Sequence, residues 1–142
     1  CLNSDDSMIG YISIGEIDHF NQSCSWSGVV IGNKQYQDGF VFAECATLLL
    51  HYVFTQMNIY RLTGKCLIEH IFSNAMSHAL CFQKEGVARH SIYKNGKFND
   101  VYLYSLLRNE YLQNKEQGYY DMNTVIANIA VYIRKIKRGE SI

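Results

Sequence analysis

The sequence predicts a domain of the α+β class, in which helices flank a mixed sheet. Two patterns support this: the pair Asn95-Gly96 lies between two β-rich runs, and residues 43–57 carry an apolar stripe at helical spacing. Asn-Gly supplies the two positive-φ positions that a tight hairpin needs. The elements follow the order β-β-α-β-α-β-β, so the long helix should connect two parallel strands and the class is mixed α/β.

The first half of the chain predicts two strands followed by the long helix. Residues 8–17 alternate apolar and small side chains, and residues 26–32 are β-rich, so these two runs should pair antiparallel. The apolar positions within residues 43–57 follow the spacing of one face of an amphipathic helix. They are Ala46, Leu49, Leu50, Val53, Phe54 and Met57.

The second half predicts a strand, a shorter helix and a hairpin. Residues 61–68 should form the strand, and residues 73–84 the helix, with its apolar side chains turned inward. Residues 87–93 and 98–107 are the two arms of the hairpin, and the second arm ends in a short amphipathic segment.

A last helix is predicted over residues 121–137, with Asp121 or Asn123 as its N-cap. Its apolar stripe consists of Met122, Val125, Ile126, Ile129, Ile133 and Ile136. Four cations follow near its end: Arg134, Lys135, Lys137 and Arg138. Positive charge at a helix C-terminus favours the helix dipole, so we interpret this cluster as a solvated helix end.

Composition excludes several classes of function. The chain has 142 residues, 48% of them hydrophobic, with 13 basic and 13 acidic side chains. A nucleic-acid or membrane-surface protein needs a basic field, so neither partner is expected. No apolar run reaches the roughly 18 residues of a membrane span, and the sequence start lacks the charged region of a signal peptide. We therefore expect a cytoplasmic protein.

Cysteine usage indicates a reducing compartment. The five cysteines, at positions 1, 24, 45, 66 and 81, are odd in number and never form a C-x-x-C pair. Such spacing fits neither a zinc ribbon nor a disulfide framework. His51 and His78 have no partner at metal-ligand spacing, so neither a metal centre nor thiol catalysis is expected.

Three motifs of the second half carry a family resemblance. They are FQKEG at residues 82–86, YKNGKFND at 93–100 and YSLLRNEY at 104–111. Together they resemble the C-terminal half of the GNAT acyltransferases, in the branch that acetylates ribosomal-protein N-termini, polyamines and amino sugars. The resemblance implies a mostly antiparallel sheet, acetyl-CoA as cofactor, and transfer of an acetyl group to a primary amine, the acceptor staying open.

The resemblance also places the cofactor. The strand that ends at Val30, Ile31 and Gly32 should offer backbone groups to the thioester and the pantetheine arm. The following loop and helix N-terminus should hold the pyrophosphate, because backbone N–H groups and the helix dipole attract anions. The loop residues concerned are Gln37, Asp38, Gly39, Phe40, Val41 and Phe42.

This loop departs from the family pattern Q/R-x-x-G-x-G/A. Gln37 fills the first position, but Phe40 and Phe42 stand where small residues belong, and the Asp38 carboxylate would repel a pyrophosphate. A tight turn that leads into a core helix with two buried phenylalanines is an equally good interpretation.

A second cofactor element also differs from the family. Ser73 matches its N-x-x-S pattern, whereas His70 replaces the asparagine that contacts the cofactor. Ser77 stands in place of the tyrosine that would protonate the leaving thiolate, and Cys81 in place of the glycine before Phe82. A serine hydroxyl titrates far above a phenol, so Ser77 would be a weak general acid.

The base that accepts the amine proton is not found at its usual place. Ser27 occupies the strand position where many relatives carry a glutamate. The substitutes at the end of the first strand are Glu16, Asp18 and His19, and an imidazole has a suitable ordinary pKa. A histidine near a strand end is more often simply solvated, so Glu16 and His19 are both candidates.

The resemblance covers residues 8–111 and describes an N-terminally truncated member. It lacks the first strand and the two helices that form the acceptor-side wall, which would leave an apolar sheet face to be covered. We predict a partial GNAT-like domain at residues 1–117 and a helical extension at 118–142. The added C-terminal helix should either fold back on the domain or pack on a second copy, and a homodimer is preferred.

Two functions of different classes follow from these features. The first is an acetyl-CoA-dependent N-acetyltransferase. The second is a catalytically inactive GNAT-derived binding or assembly module, which the altered loop, His70 and Ser77 favour, since a fold does not transmit activity by itself.

Overall fold

The structure is a computed structural model that describes residues 6–37 and 39–140. Within these residues, five strands and four α-helices follow one another along the chain. They are β1 Gly10–Asp18, β2 Ser23–Ile31, α1 Phe40–Thr55, β3 Arg61–Leu67, α2 Ile71–Ala79, β4 Gln83–Lys94, β5 Lys97–Leu107, α3 Arg108–Glu116 and α4 Met122–Lys137. A 3₁₀ turn at Lys34–Tyr36 precedes α1. The α+β class is confirmed.

The strands form one mixed sheet in the order β1-β2-β3-β5-β4. β1 pairs antiparallel with β2, and β5 pairs antiparallel with both β3 and β4. β2 and β3 are parallel and are connected through α1, as the crossover prediction required. The sheet is therefore mostly antiparallel, as the family resemblance implied.

β2 and β3 separate after a short stretch of pairing. Their ladder runs only from Ser23 with Arg61 to Ser25 with Thr63, although β2 continues to Ile31 and β3 to Leu67. A bulge lies just beyond this point, because Trp26 pairs with Ile14 of β1 and Gly28 with Ser13, which leaves Ser27 without a partner in the ladder. A bulge bends a strand and increases its twist, so β2 turns away from β3 here.

The predicted end of the second helix is wrong. α2 ends at Ala79, and β4 already begins at Gln83, whereas the helix was expected to reach residue 84. Cys81 adopts a left-handed conformation with φ 63°, and the Phe82 N–H donates to the Ser77 carbonyl at 2.9 Å. This is the usual way in which a helix closes, with Cys81 in the position that glycine most often takes.

The core lies on one face of the sheet, beneath α1, α2 and α4. Leu50 and Val53 of α1 and Leu62 of β3 are fully buried there, and Val125 and Ile129 of α4 join the same cluster. The groove that α4 requires is thus supplied by α1 and α2 of the same chain. None of the helices in the described ranges is long and apolar enough to cross a membrane.

Candidate functional site

An inner cleft opens where β2 and β3 separate. Its walls come from both strands and from α1, α2 and β5, on the helix side of the sheet. It is lined by Trp26, Ser27, Gly28, Val29, Phe42, Gly64, Lys65, Cys66, Ser73, Met76, Ser77, Leu80, Phe82 and Tyr104. Beyond Ser25 and Thr63 no pair joins the two strands, so the β2 backbone on this side faces the cleft. Backbone donors and acceptors in such a position need a partner, which a ligand can provide.

A second space, the loop cleft, continues from the inner cleft towards the start of α1. It is lined by Val29, Ile31, Tyr36, Gln37, Gly39, Phe42, His70, Phe72 and Ser73. Gly39 is the N-cap of α1 and has φ 86°, a value that favours glycine. The positive end of the α1 dipole therefore lies beside this cleft, where it favours an anion.

A third space, the outer cleft, lies on the opposite face of the sheet. It is lined by Gly15, Glu16, Ser25, Trp26, Ser27, Arg61, Thr63, Gly64, Lys65, Glu85, Ile92, Leu103 and Tyr104. Trp26, Ser27, Gly64, Lys65 and Tyr104 line both this space and the inner cleft. The gap between β2 and β3 thus connects the two faces of the sheet.

Charged side chains line the outer cleft. The Arg61 guanidinium donates to both Glu85 carboxylate oxygens, at 2.9 and 2.6 Å, and the Ser105 hydroxyl donates to Glu85 Oε1 at 2.8 Å. These two partners, Arg61 first, hold the pKa of Glu85 below its ordinary value. Glu85 is therefore a fixed anion rather than a proton acceptor. Glu16, at the rim, is exposed and has φ 49° within the irregular end of β1.

A buried hydrogen-bond network forms the base of the inner cleft. Asn74 Nδ2 donates to the carbonyls of Leu67, Ile68 and His70, and its Oδ1 accepts from the Tyr104 hydroxyl at 3.1 Å. His78 Nε2 lies 3.4 Å from the same hydroxyl. Burial raises the pKa of Tyr104, so its proton is held firmly and the phenol supports the cleft wall.

Ser77 and Cys66 contribute the other polar groups of the inner cleft. The Ser77 hydroxyl donates to the Ser73 carbonyl at 3.0 Å and lies 3.6 Å from Cys66 Sγ. Burial raises the pKa of the Cys66 thiol, and burial followed by the Lys84 charge lowers the pKa of His78. Cys66 is therefore a neutral thiol and His78 a neutral imidazole near pH 7.

The structure brings together many of the predicted cofactor residues. Ile31, Gln37, Gly39, Phe42, His70 and Ser73 all line the loop cleft. Gln37 Nε2 donates to the Ile31 carbonyl at 2.6 Å, and His70 Nδ1 accepts from the Ser73 N–H, so both side chains also stabilise the cleft itself. Asp38 lies outside the described residues.

Other predicted residues lie elsewhere. The Gly32 N–H donates to the Ile9 carbonyl at 2.8 Å, and the Val30 side chain is exposed, while Gly28 and Val29 take the place nearest the inner cleft. Phe40 and Val41 belong to the first turn of α1 and do not line the loop cleft. His19 lies in an exposed turn after β1, outside the three clefts, whereas Glu16 and Ser77 line the outer and inner clefts.

Sequence reasoning missed the charged cluster of the outer cleft and the wall residues Trp26, Lys65 and Tyr104. One available signal was the alternation within β3, which places Arg61, Thr63 and Lys65 on one face. A second was Glu85, inside the motif that carries the resemblance, but its pairing with Arg61 spans two neighbouring strands and could not be inferred from local pattern.

Comparison with known proteins gives the family. No family model matches the chain. An uncharacterized N-acetyltransferase, p20, of Bacillus licheniformis is 34% identical over 106 residues, which are 75% of this chain and 58% of that protein. A putative ribosomal N-acetyltransferase, YdaF, of Bacillus subtilis is 30% identical over 107 residues, 75% of this chain and 57% of that protein.

Solved structures agree with these relatives. A probable acetyltransferase matches with TM-score 0.68 and 28% identity, over 75% of this chain and 59% of that one. The spermidine/spermine N-acetyltransferase SpeG of Vibrio cholerae shares the fold, with TM-score 0.73 and 20% identity over 79% of this chain and 66% of that one. The chain belongs to the GNAT superfamily. It spans a little over half the length of the curated relatives it matches.

Proposed function

We propose that this GNAT protein is an acetyl-CoA-dependent N-acetyltransferase that acts on a primary amine. One observation carries the proposal: the gap between β2 and β3, here called the passage, lies between the inner cleft and the charged outer cleft, which share five lining residues there. Such a passage lets an acyl donor and an amine approach one point from opposite faces. The N-acetyltransferase names of the curated relatives support the same reaction.

The donor side is formed by the loop cleft and the inner cleft. The N-cap Gly39 of α1 and the Gln37 and His70 side chains line the place that the phosphates of acetyl-CoA would occupy, and Trp26 and Val29 would contact its pantetheine arm. Bound acetyl-CoA supplies the activated acetyl group as a thioester. The unpaired β2 backbone around Gly28 would donate to the thioester carbonyl and so stabilise the charge that develops on its oxygen during attack.

The acceptor side is the outer cleft, where Glu16 is the proposed base. As the amine nitrogen bonds to the acetyl carbon and the carbon–sulfur bond breaks, Glu16 takes the amine proton through a water molecule. On the donor side, the Ser77 hydroxyl would hydrogen-bond to the thiolate sulfur that this bond cleavage releases, and solvent would return the proton to it. His19 remains the second candidate base, but it lies in a turn and lines none of the three clefts.

A matched pair of variants tests this assignment. Glu16→Gln should lower kcat by about 100-fold, the usual contribution of a general base, and His19→Gln should change kcat by less than about threefold. The assay follows CoA release with spermidine, glucosamine and an unblocked peptide as acceptors, over pH 6 to 9. A loss confined to His19→Gln would make His19 the base.

The alternative, an inactive binding module, rests on Phe40 and Phe42 in the loop and on Ser77 at the tyrosine position. Saturable acetyl-CoA binding without turnover of any acceptor in the panel would favour that module over the enzyme.

The proposed partners are acetyl-CoA and an amine, with a homodimer as the assembly. α4 packs against α2 and α1 of its own chain, so it does not itself require a second copy. The remaining support for a dimer is the exposed apolar side chains on the helices, such as Leu48 and Tyr52 of α1 and Val131 of α4. Native mass spectrometry distinguishes one copy from two.

A further inference from the structure

We infer that Phe42 is a specificity-determining residue that closes the junction between the loop cleft and the inner cleft. The chain would therefore bind an acyl donor chiefly through the pantetheine and thioester end of the donor, and the nucleotide end would add little to the affinity. This inference rests on the proposed function, because it concerns the same donor site.

The position of Phe42 between the two clefts is the first observation. Only Val29, Phe42 and Ser73 line both spaces among the described residues. Val29 belongs to β2, Ser73 to α2 and Phe42 to α1, so the three surround the junction from three elements. Any ligand that extends from the start of α1 to the thioester position must pass this point.

The contacts of the Phe42 ring are the second observation. It stacks on Trp26 of β2, with ring centroids 6.5 Å apart and planes 14° apart. On its other side it meets Phe72 of α2 edge-on, with centroids 5.4 Å apart. The ring thus bridges from the strand wall to the helix wall, and aromatic pairs of this kind resist separation.

The contrast with Phe40 shows that position rather than residue type matters. Both phenylalanines stand where the family pattern has small residues, but the Phe40 side chain is 49% exposed and lines neither cleft. Phe40→Ala is therefore a matched control, since it removes the same side chain from the same helical turn without opening the junction.

The experiment compares two donors by titration calorimetry. S-acetylpantetheine carries the thioester and the arm, and acetyl-CoA adds the nucleotide. In the unmodified protein the two dissociation constants should agree within about tenfold. Phe42→Ala should bind acetyl-CoA about tenfold more tightly and leave S-acetylpantetheine within about threefold, while Phe40→Ala changes neither.

Four results would overturn the inference. One is acetyl-CoA binding more than about 100-fold tighter than S-acetylpantetheine in the unmodified protein. Another is a weaker affinity for acetyl-CoA in Phe42→Ala, which would show that the ring holds the nucleotide. The third is an unchanged affinity for acetyl-CoA in Phe42→Ala, which rejects the role of Phe42 at the junction while the proposed function stands. The fourth is the absence of binding by every variant, which rejects both the inference and the proposed function. Phe42→Leu, which keeps more apolar volume, repeats the test if Phe42→Ala does not fold.

Discussion

At the scale of single residues, Glu85 shows how the outer cleft holds a fixed charge. Its carboxylate accepts from Arg61 and from Ser105, and both side chains of the ion pair are partly open to water, 36% for Arg61 and 42% for Glu85. Ion pairs at this exposure are screened by solvent and contribute little stability, about 0.5 to 1 kcal/mol. The pair therefore orders the side chains of the outer cleft more than it stabilises the fold.

Glu85→Gln should lower the free energy of unfolding by about 0.5 to 1 kcal/mol at pH 7. Because the pKa of Glu85 in the folded chain lies below its ordinary value of 4.5, this stability is present above about pH 4.5 and is lost as the pH falls through the lowered pKa. Urea unfolding of both proteins between pH 3 and 7 measures the difference.

The control for this measurement is Glu69→Gln, which removes the more exposed ion pair with Lys97. It should change the free energy of unfolding by less than about 0.5 kcal/mol. A difference between Glu85→Gln and the unmodified protein that stays constant with pH would show that the carboxylate charge is not the cause.

Single residues also mark the limit of prediction from sequence. The replacement of family residues by Ser77 and His70 could be recognised from the sequence. Their hydrogen bonds to Ser73 could not, since these depend on the exact start of α2. Asn74, whose side chain connects β3 to α2, had no local signal in the sequence, because its partners are backbone carbonyls brought together by the turn and the Tyr104 hydroxyl of a distant strand.

At the scale of elements, the hairpin of β4 and β5 follows most directly from its sequence. Asn95 and Gly96 have φ values of 54° and 77°, as the Asn-Gly pattern predicts for a two-residue turn. Residue pairing from Lys94 with Lys97 onwards confirms the hairpin. This element was predictable because few residue pairs adopt the two positive φ angles of such a turn, and Asn-Gly is one of them.

Gly96→Ala should destabilise the chain by about 1 kcal/mol, because a left-handed conformation costs any residue with a Cβ. A Cβ at Gly96 would meet nothing within 4 Å, so the loss of stability would come from the backbone conformation and not from a steric clash. Gly86→Ala is the control, since it also meets no atom within 4 Å but has no positive φ. Thermal unfolding compares the two, and equal melting temperatures would contradict the turn geometry.

The end of α2 shows where element prediction failed. The apolar pattern continued past residue 79, but Cys81 in the left-handed region closed the helix without the glycine or proline that usually marks such an end. α3, at Arg108–Glu116, was predicted only as a short amphipathic segment. Element identity was therefore more predictable than element boundaries.

At the scale of the whole molecule, the antiparallel pairing of β1 with β2 and the crossover through α1 were predicted, whereas the order of the strands in the sheet and the passage through it were not. The passage exists because only three residue pairs join β2 to β3 before the strands separate. How many residue pairs join these strands depends on the bulge at Ser27 and on contacts between residues distant in sequence, so it could not be predicted from local pattern. On the face opposite the helices, Arg61, Thr63 and Lys65 lie beside the apolar Ile92 and Leu103, so this face carries charged side chains in addition to the apolar ones that were expected.

The central claim is that the gap between β2 and β3 receives acetyl-CoA, and Gly64 allows a direct test. Gly64 lines both the inner and the outer cleft, and a Cβ there would meet nothing within 4 Å, so a larger side chain can start from this position and extend into the passage. Gly86→Leu is the control, because Gly86 lies on β4 next to residues of the outer cleft but lines neither cleft itself.

Calorimetric titration of acetyl-CoA into the unmodified protein, Gly64→Leu and Gly86→Leu is the decisive measurement. We expect micromolar to submillimolar binding by the unmodified protein and by Gly86→Leu, and a loss of at least about tenfold in Gly64→Leu. No heat of binding to the unmodified protein at millimolar acetyl-CoA, or equal affinity in Gly64→Leu, would contradict the assignment of this passage to the cofactor.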